Sequence, residues 1–147
     1  MKRFRTALSI LLALVSLASS GYIDAKSDTE MLKNLSQLKW KKRVLLVSNP
    51  KNKDSTELAL TSAVEDINDR DLVWFILSEE KLYSNRENVN TTGLKAQIRA
   101  MAKKSKSVVL IGKDGGVKYQ SSSLDLTEIF KTIDAMPMRR QEMKERR

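Results

Sequence analysis

The stretch Arg43–Leu60, RVLLVSNPKNKDSTELAL, changes its period in the middle. Val44 to Val47 is an unbroken apolar run, the pattern of a strand covered on both faces. Asn49–Pro50 breaks that run. Asp54 and Glu57 follow as an aspartate variant of the capping box, and Leu60, Ala63, Val64 and Ile67 line one face of a helix. Leu72–Leu77, LVWFIL, is a second apolar run rich in strand formers. Two buried strands joined by a helix make a parallel pair with a right-handed crossover.

Moving outward, Ser27–Trp40, SDTEMLKNLSQLKW, opens with Ser27 and Glu30 in a capping box. Met31 or Leu32, Leu35 and Leu38 then recur at helical spacing, which predicts a short leading helix. On the other side, Ser78–Thr91 reads as a long polar loop, and Leu94, Ile98 and Met101 mark a second helix. Ser107–Gly112 is a third strand, Asp114–Gly115 a hairpin turn, and Val117–Gln120 the returning strand. Leu124–Met136 closes as a helix with Leu126, Ile129, Phe130 and Ile133 inward, stopped by Pro137. The order β-α-β-α-β-β-α predicts an α/β domain of thioredoxin-like arrangement over residues 41–147. A leading segment, 21–40, and a C-terminal helical extension complete it. A three-layer α/β domain of other topology is the competing arrangement.

The N-terminus, MKRFRTALSILLALVSLASSGY, has the parts of a secretory signal over residues 1–20. Lys2, Arg3 and Arg5 precede the apolar stretch Ala7–Ala18, and Ala18 and Ser20 suit cleavage before Gly21. A membrane span needs about 20 apolar residues, more than this stretch supplies. The expected location is therefore the periplasm or the exterior, with no membrane span once the signal is removed. With no cysteine near the cleavage point, a bacterial lipoprotein anchor is excluded.

The whole chain carries 27 Lys and Arg against 18 Asp and Glu. Without the three basic residues of the leader, 24 stand against 18, a net +6. Lys39, Lys41, Lys42 and Arg43, together with the segment Arg139–Arg147, account for the excess. Two short clusters are not the broad stripe that tracks phosphates, which counts against a nucleic-acid partner. The chain has no cysteine and no histidine. Thiol redox chemistry is excluded, and the commonest general base and metal ligand is absent. Any catalysis falls to carboxylates, Lys, Tyr or Ser.

Several motifs invite a chemical reading and lose it to their context. IGKDGG contains the residues of a phosphate loop but leads into a strand, where a phosphate loop must open a helix. The carboxylates of EDINDRD, Glu65, Asp66, Asp69 and Asp71, lack the spacing of a calcium loop and read as a solvated helix end. Glu79–Glu80 has no visible partner. In MPMRRQEMKERR, Arg139 and Glu142 stand three apart and would share one face of a short helix docked on the body.

LKWKKRVLLV (Leu38–Val47), VVLIGKDGGVK (Val108–Lys118) and LTEIFKTIDAMPMRRQE (Leu126–Glu142) resemble the secreted bacterial domain of unknown function 4174. That family is similar to modules of animal extracellular proteins, the sushi-repeat-containing proteins and a coiled-coil-domain matrix protein among them. The resemblance implies a thioredoxin- or peroxiredoxin-like fold and no established activity. On the expected topology, the first strand starts at the pole opposite a thioredoxin active site. The hairpin Lys113–Gly116 turns there, and the last helix delivers Pro137 to Glu142 there. The candidate site residues are therefore Trp40, Arg43, Lys113, Asp114, Arg139, Arg140 and Glu142, with no catalytic residue, metal or cofactor assigned. One reading is a clamp, in which Arg43 or Arg139 pairs with Asp114 or Glu142 and Trp40 covers the core. The other is a pocket for a protein partner or a small anionic ligand, in a binding module or in a cysteine-independent enzyme, an oxidoreductase among the options.

Overall fold

In the computed structural model, which describes residues 30–146, the run that follows Arg43 becomes β1, Arg43–Ser48, buried over its whole length. The remaining strands are β2, Leu72–Ser78, β3, Lys81–Ser84, β4, Val108–Ile111, and β5, Val117–Ser121. β1 pairs in parallel with β2, Arg43 opposite Leu72 and Ser48 opposite Leu77. Its other edge pairs antiparallel with β4, which turns back into β5. The sheet order is β3-β2-β1-β4-β5, a mixed sheet in the thioredoxin-like arrangement. The leader, its cleavage point and the Ser27 cap lie outside the described residues.

Both faces of the sheet are covered, which is why its central strands read as unbroken apolar runs. Val44, Leu46, Val73, Phe75, Leu77 and Val109 pack on one face with Leu94 and Ile98 of α3, Thr91–Ala102. Leu45, Val47, Trp74, Ile76, Val108 and Leu110 face the other side. They meet Leu60 of α1, Lys53–Ser62, Ile67 of α2, Val64–Asp69, and Ile129 and Ile133 of α4, Leu126–Ala135. The last helix, α5, Pro137–Glu145, starts on a proline, whose fixed φ and missing N–H suit the first helical position.

Four local readings change. The single helix after β1 is two, broken at Ala63, and Val64 is exposed. Its cap is Asn52, whose side chain accepts the Ser55 N–H at 2.9 Å, in place of Asp54. The leading helix is a 3-10 turn, Leu35–Leu38, and Leu32 before it bridges to Asn88 and Asn90 through the backbone. The polar loop Ser78–Thr91 begins as a hairpin: Glu79 and Glu80 both take positive φ, 45° and 69°, and β3 returns along β2. That is the mirror-image turn whose twist matches paired strands, usually signalled by Asn-Gly. Beyond β3, Asn85 replaces a strand with a side chain. Its Oδ1 accepts the Trp74 N–H at 2.9 Å and its Nδ2 donates to the Leu72 carbonyl at 3.2 Å, closing an edge that would otherwise be open.

Candidate functional site

Parallel pairing puts the starts of β1 and β2 at one end of the sheet, so the turn Asp69–Asp71 before β2 lies beside Arg43. The Arg43 N–H donates to the Asp71 carbonyl at 2.8 Å. Antiparallel β4 ends at this pole, delivering Lys113, and α4 descends to it before α5 begins. Here the guanidinium of Arg43, 1% exposed, forks onto Glu142: NH1 to Oε2 at 3.1 Å and NH2 to Oε1 at 3.2 Å. NH1 also donates to the Arg70 carbonyl at 2.9 Å. Lys113, itself buried, reaches Glu142 Oε1 at 2.7 Å and Asp71 Oδ2 at 2.9 Å. One carboxylate on α5 thus joins the first strand to the hairpin.

A second set of pairs adjoins this one. Arg139, 3% exposed, donates from Nε to Asp134 Oδ1 at 3.1 Å and from NH1 to the Asp69 carbonyl at 2.8 Å. Its NH2 pairs with the Asp69 carboxylate. Arg70 forks onto the same Asp134 at 3.1 and 2.7 Å and stacks over Phe130, 4.6 Å from the ring centroid. Arg146 closes on Asp69 at 2.7 Å. Planar guanidinium groups suit this work, because one head spans two acceptors in fixed geometry.

Burial is the largest influence on the Glu142 carboxyl and pushes its pKa up. The hydrogen bonds and charges of Arg43 and Lys113 together outweigh it and hold the group below the usual carboxylate range. Asp134 behaves alike, burial opposed by Arg70 and Arg139, and Asp71 likewise, burial opposed by Lys113 and Lys42. All three therefore bind protons less readily in the folded state than in the unfolded one. The stability they confer is present above the ordinary carboxylate pKa, about 4, and is lost as pH falls through the lower folded values. Thermal melts taken between about pH 6 and pH 2 should show stability falling in that acid window. The fall should be shallower in Glu142→Gln, which lacks one of the three groups.

Of the residues singled out in the sequence, Arg43, Lys113, Arg139 and Glu142 come together in these linked pairs. Asp114 stays within its own hairpin, accepting the Gly116 N–H at 3.0 Å and Lys118 Nζ at 2.6 Å. Arg140 is exposed. Trp40 does not cover the core: it is 63% exposed, tied to the pole by its N–H, which donates to the Lys113 carbonyl at 2.6 Å. Asp69 and Asp71, read as part of a solvated helix end, are partners in the network, as is Asp134. The parallel pairing was the available signal, since it brings the turn before β2 to the start of β1.

The cleft beside the network, about 440 Å³, is lined by Lys42, Asp71 and Arg86, and by none of Arg43, Lys113, Arg139 or Glu142. At the opposite end, Asn49, Pro50, Ser55, Thr56, Ser107 and Ser123 line a groove of about 730 Å³ beside the start of α1. This is where a thiol would stand in a redox member of the fold. Among the described residues no carboxylate lines that groove; its one charged lining residue is Lys51.

No curated protein and no solved structure matches the chain. The family described as a domain of unknown function (DUF4174) matches residues 34–142. That span takes in Trp40 and Arg43 at one end and closes on Glu142, so it contains the ion pairs of Arg43, Lys113 and Arg139. The chain belongs to the DUF4174 family.

Proposed function

We propose that this protein is an exported binding domain that does no thiol chemistry, akin to the thioredoxin-like modules of the extracellular proteins it resembles. The observation that carries the reading is that Arg43, Lys113 and Arg139, the buried cations of the candidate site, each already hold carboxylate partners. A catalytic pole would need such groups open to a substrate in a concave site. The ion pairs instead lock α5 to the body, which leaves the exposed surface to make contacts. The leader supports export, and a chain without Cys has no thiol to react.

The test is crosslinking and capture of the tagged full-length protein in the envelope of its own cells, with cell fractionation alongside. The expected result is a discrete envelope component held by the wild type and by Arg139→Ala at temperatures where the variant is folded. Retention of the protein in the cytoplasm, or substrate turnover lost on Lys113→Met in a folded variant, overturns the reading.

A further inference from the structure

Trp40 is unusual in two independent ways. Its φ of 66° lies in the left-handed region, where a bulky L-residue is strained. Its side chain is also the largest exposed apolar group among the described residues. The strain is held in place by the hydrogen bond to the Lys113 carbonyl, so the ring is presented from a turn tied to the hairpin. Neither the core nor the clamp uses it.

A cation lies near this ring. Lys39 lies with Nζ 5.4 Å from the ring centroid, and Lys41 is exposed beside it. On α5, Arg140 and Lys144 are exposed four residues apart, on the helical face turned away from Glu142. Unlike the buried cations, these four make no ion pair among the described residues. The buried network satisfies its charges internally, and these four cations stand outside it.

We propose that this end of the molecule docks on an anionic phospholipid bilayer, with Trp40 at headgroup level and Lys39, Lys41, Arg140 and Lys144 over the phosphates. The proposal rests on the exported-binding-domain reading and names the surface that would be bound. Charge complementarity requires an anionic partner, and the residue types favour a bilayer over an acidic protein. Lysine is depleted from protein interfaces, because a hydrated ammonium resists burial. At a membrane surface it keeps its water while its stem lies along apolar material. Tryptophan is enriched at that depth, with an apolar body and a polar N–H.

The test uses the purified full-length protein with phosphatidylglycerol–phosphatidylcholine vesicles and with vesicles of phosphatidylcholine alone. The chain has two tryptophans, and Trp74 is buried in the core, so a change in emission reports Trp40. The leader has no tryptophan, and the phosphatidylcholine vesicles measure the apolar binding that it adds to every variant, which is subtracted before variants are compared. The expected result is co-sedimentation with the anionic vesicles, weakened by salt, with a blue shift of Trp40 emission. Lys39→Gln with Lys41→Gln should weaken binding roughly 30-fold. Trp40→Gly should weaken it about tenfold and raise the melting temperature by a few degrees, because glycine accepts φ 66° without strain. A Trp40 with a purely structural role would lower it.

Variants that bind like the wild type, or an unshifted Trp40 emission, overturn the proposal. So does capture of an acidic envelope protein through Trp40 by a chain that ignores vesicles. A protein that fractionates to the envelope but ignores vesicles overturns this proposal alone, whereas cytoplasmic retention overturns the reading beneath it.

Discussion

Glu142→Gln should lower stability by about 3 kcal/mol and the melting temperature by about 10 °C. Arg43 is 1% exposed and places both terminal nitrogens on this carboxylate, which also takes Lys113. The amide keeps the shape and loses the charge, so two desolvated cations lose their shared counter-charge. Lys113 retains Asp71, while Arg43 retains only the Arg70 carbonyl. Removing one partner of a buried pair costs far more than the pair contributes, because the charge left behind has already given up its water. The same reasoning predicts recovery when Arg43→Met, Lys113→Met and Glu142→Leu are combined, since no buried charge then remains among the three. Melting curves of the single and triple variants check both statements. A single variant that melts within a degree or two of the wild type would show that the pairs do not clamp α5.

Arg139→Ala should cost about 2–3 kcal/mol, less than the loss at Glu142 because the carboxylates it leaves are better supplied. Asp134 keeps Arg70, and Asp69, half exposed, keeps Arg146. What disappears is the only side chain among the described residues that spans Asp134 and Asp69 with one rigid head, together with the packing of its buried stem. Arg139→Lys should recover little, because an ammonium cannot reproduce the fork. Urea unfolding should show a lower midpoint at unchanged slope, with vesicle binding preserved at temperatures where the variant is folded. Normal stability with lost binding would reverse the assignment and make Arg139 a contact residue.

The parts of the fold that follow from apolar period were legible along the chain. β1 and β2 show as unbroken runs because both faces of the sheet are covered. The hairpin at Asp114–Gly115 shows because Gly115 supplies the positive φ, 84°, that its turn requires. The turn at Glu79–Glu80 was hidden for the converse reason: two glutamates hold positive φ where no local preference announces it. Asn85 was hidden too, because a side chain that stands in for a strand has no period.

The candidate site divides along the same line. Chain order and strand direction alone bring Arg43, the Lys113 hairpin and the Pro137–Glu142 segment to one pole. They do not say which cation meets which carboxylate. Asp114 was a candidate partner and turns inward to its own hairpin, while Asp69, 70 residues from Arg139, Asp71, 42 residues from Lys113, and Asp134, 64 residues from Arg70, complete the network. Nor do they say that Trp40, the residue most expected to be buried, faces outward.

Hydrophobic period acts between neighbours in sequence, so the amino-acid order was enough to specify β1, β2, β4 and β5 and the order of the helices between them, but not β3. Pairing of buried charge acts between groups that meet only after the sheet has formed. Its outcome depends on which side of each backbone faces the interior and on how much water each group has lost. Those quantities exist only in the folded molecule, where they pair Arg43, Lys113 and Arg139 with carboxylates and leave Trp40 and its lysines outside.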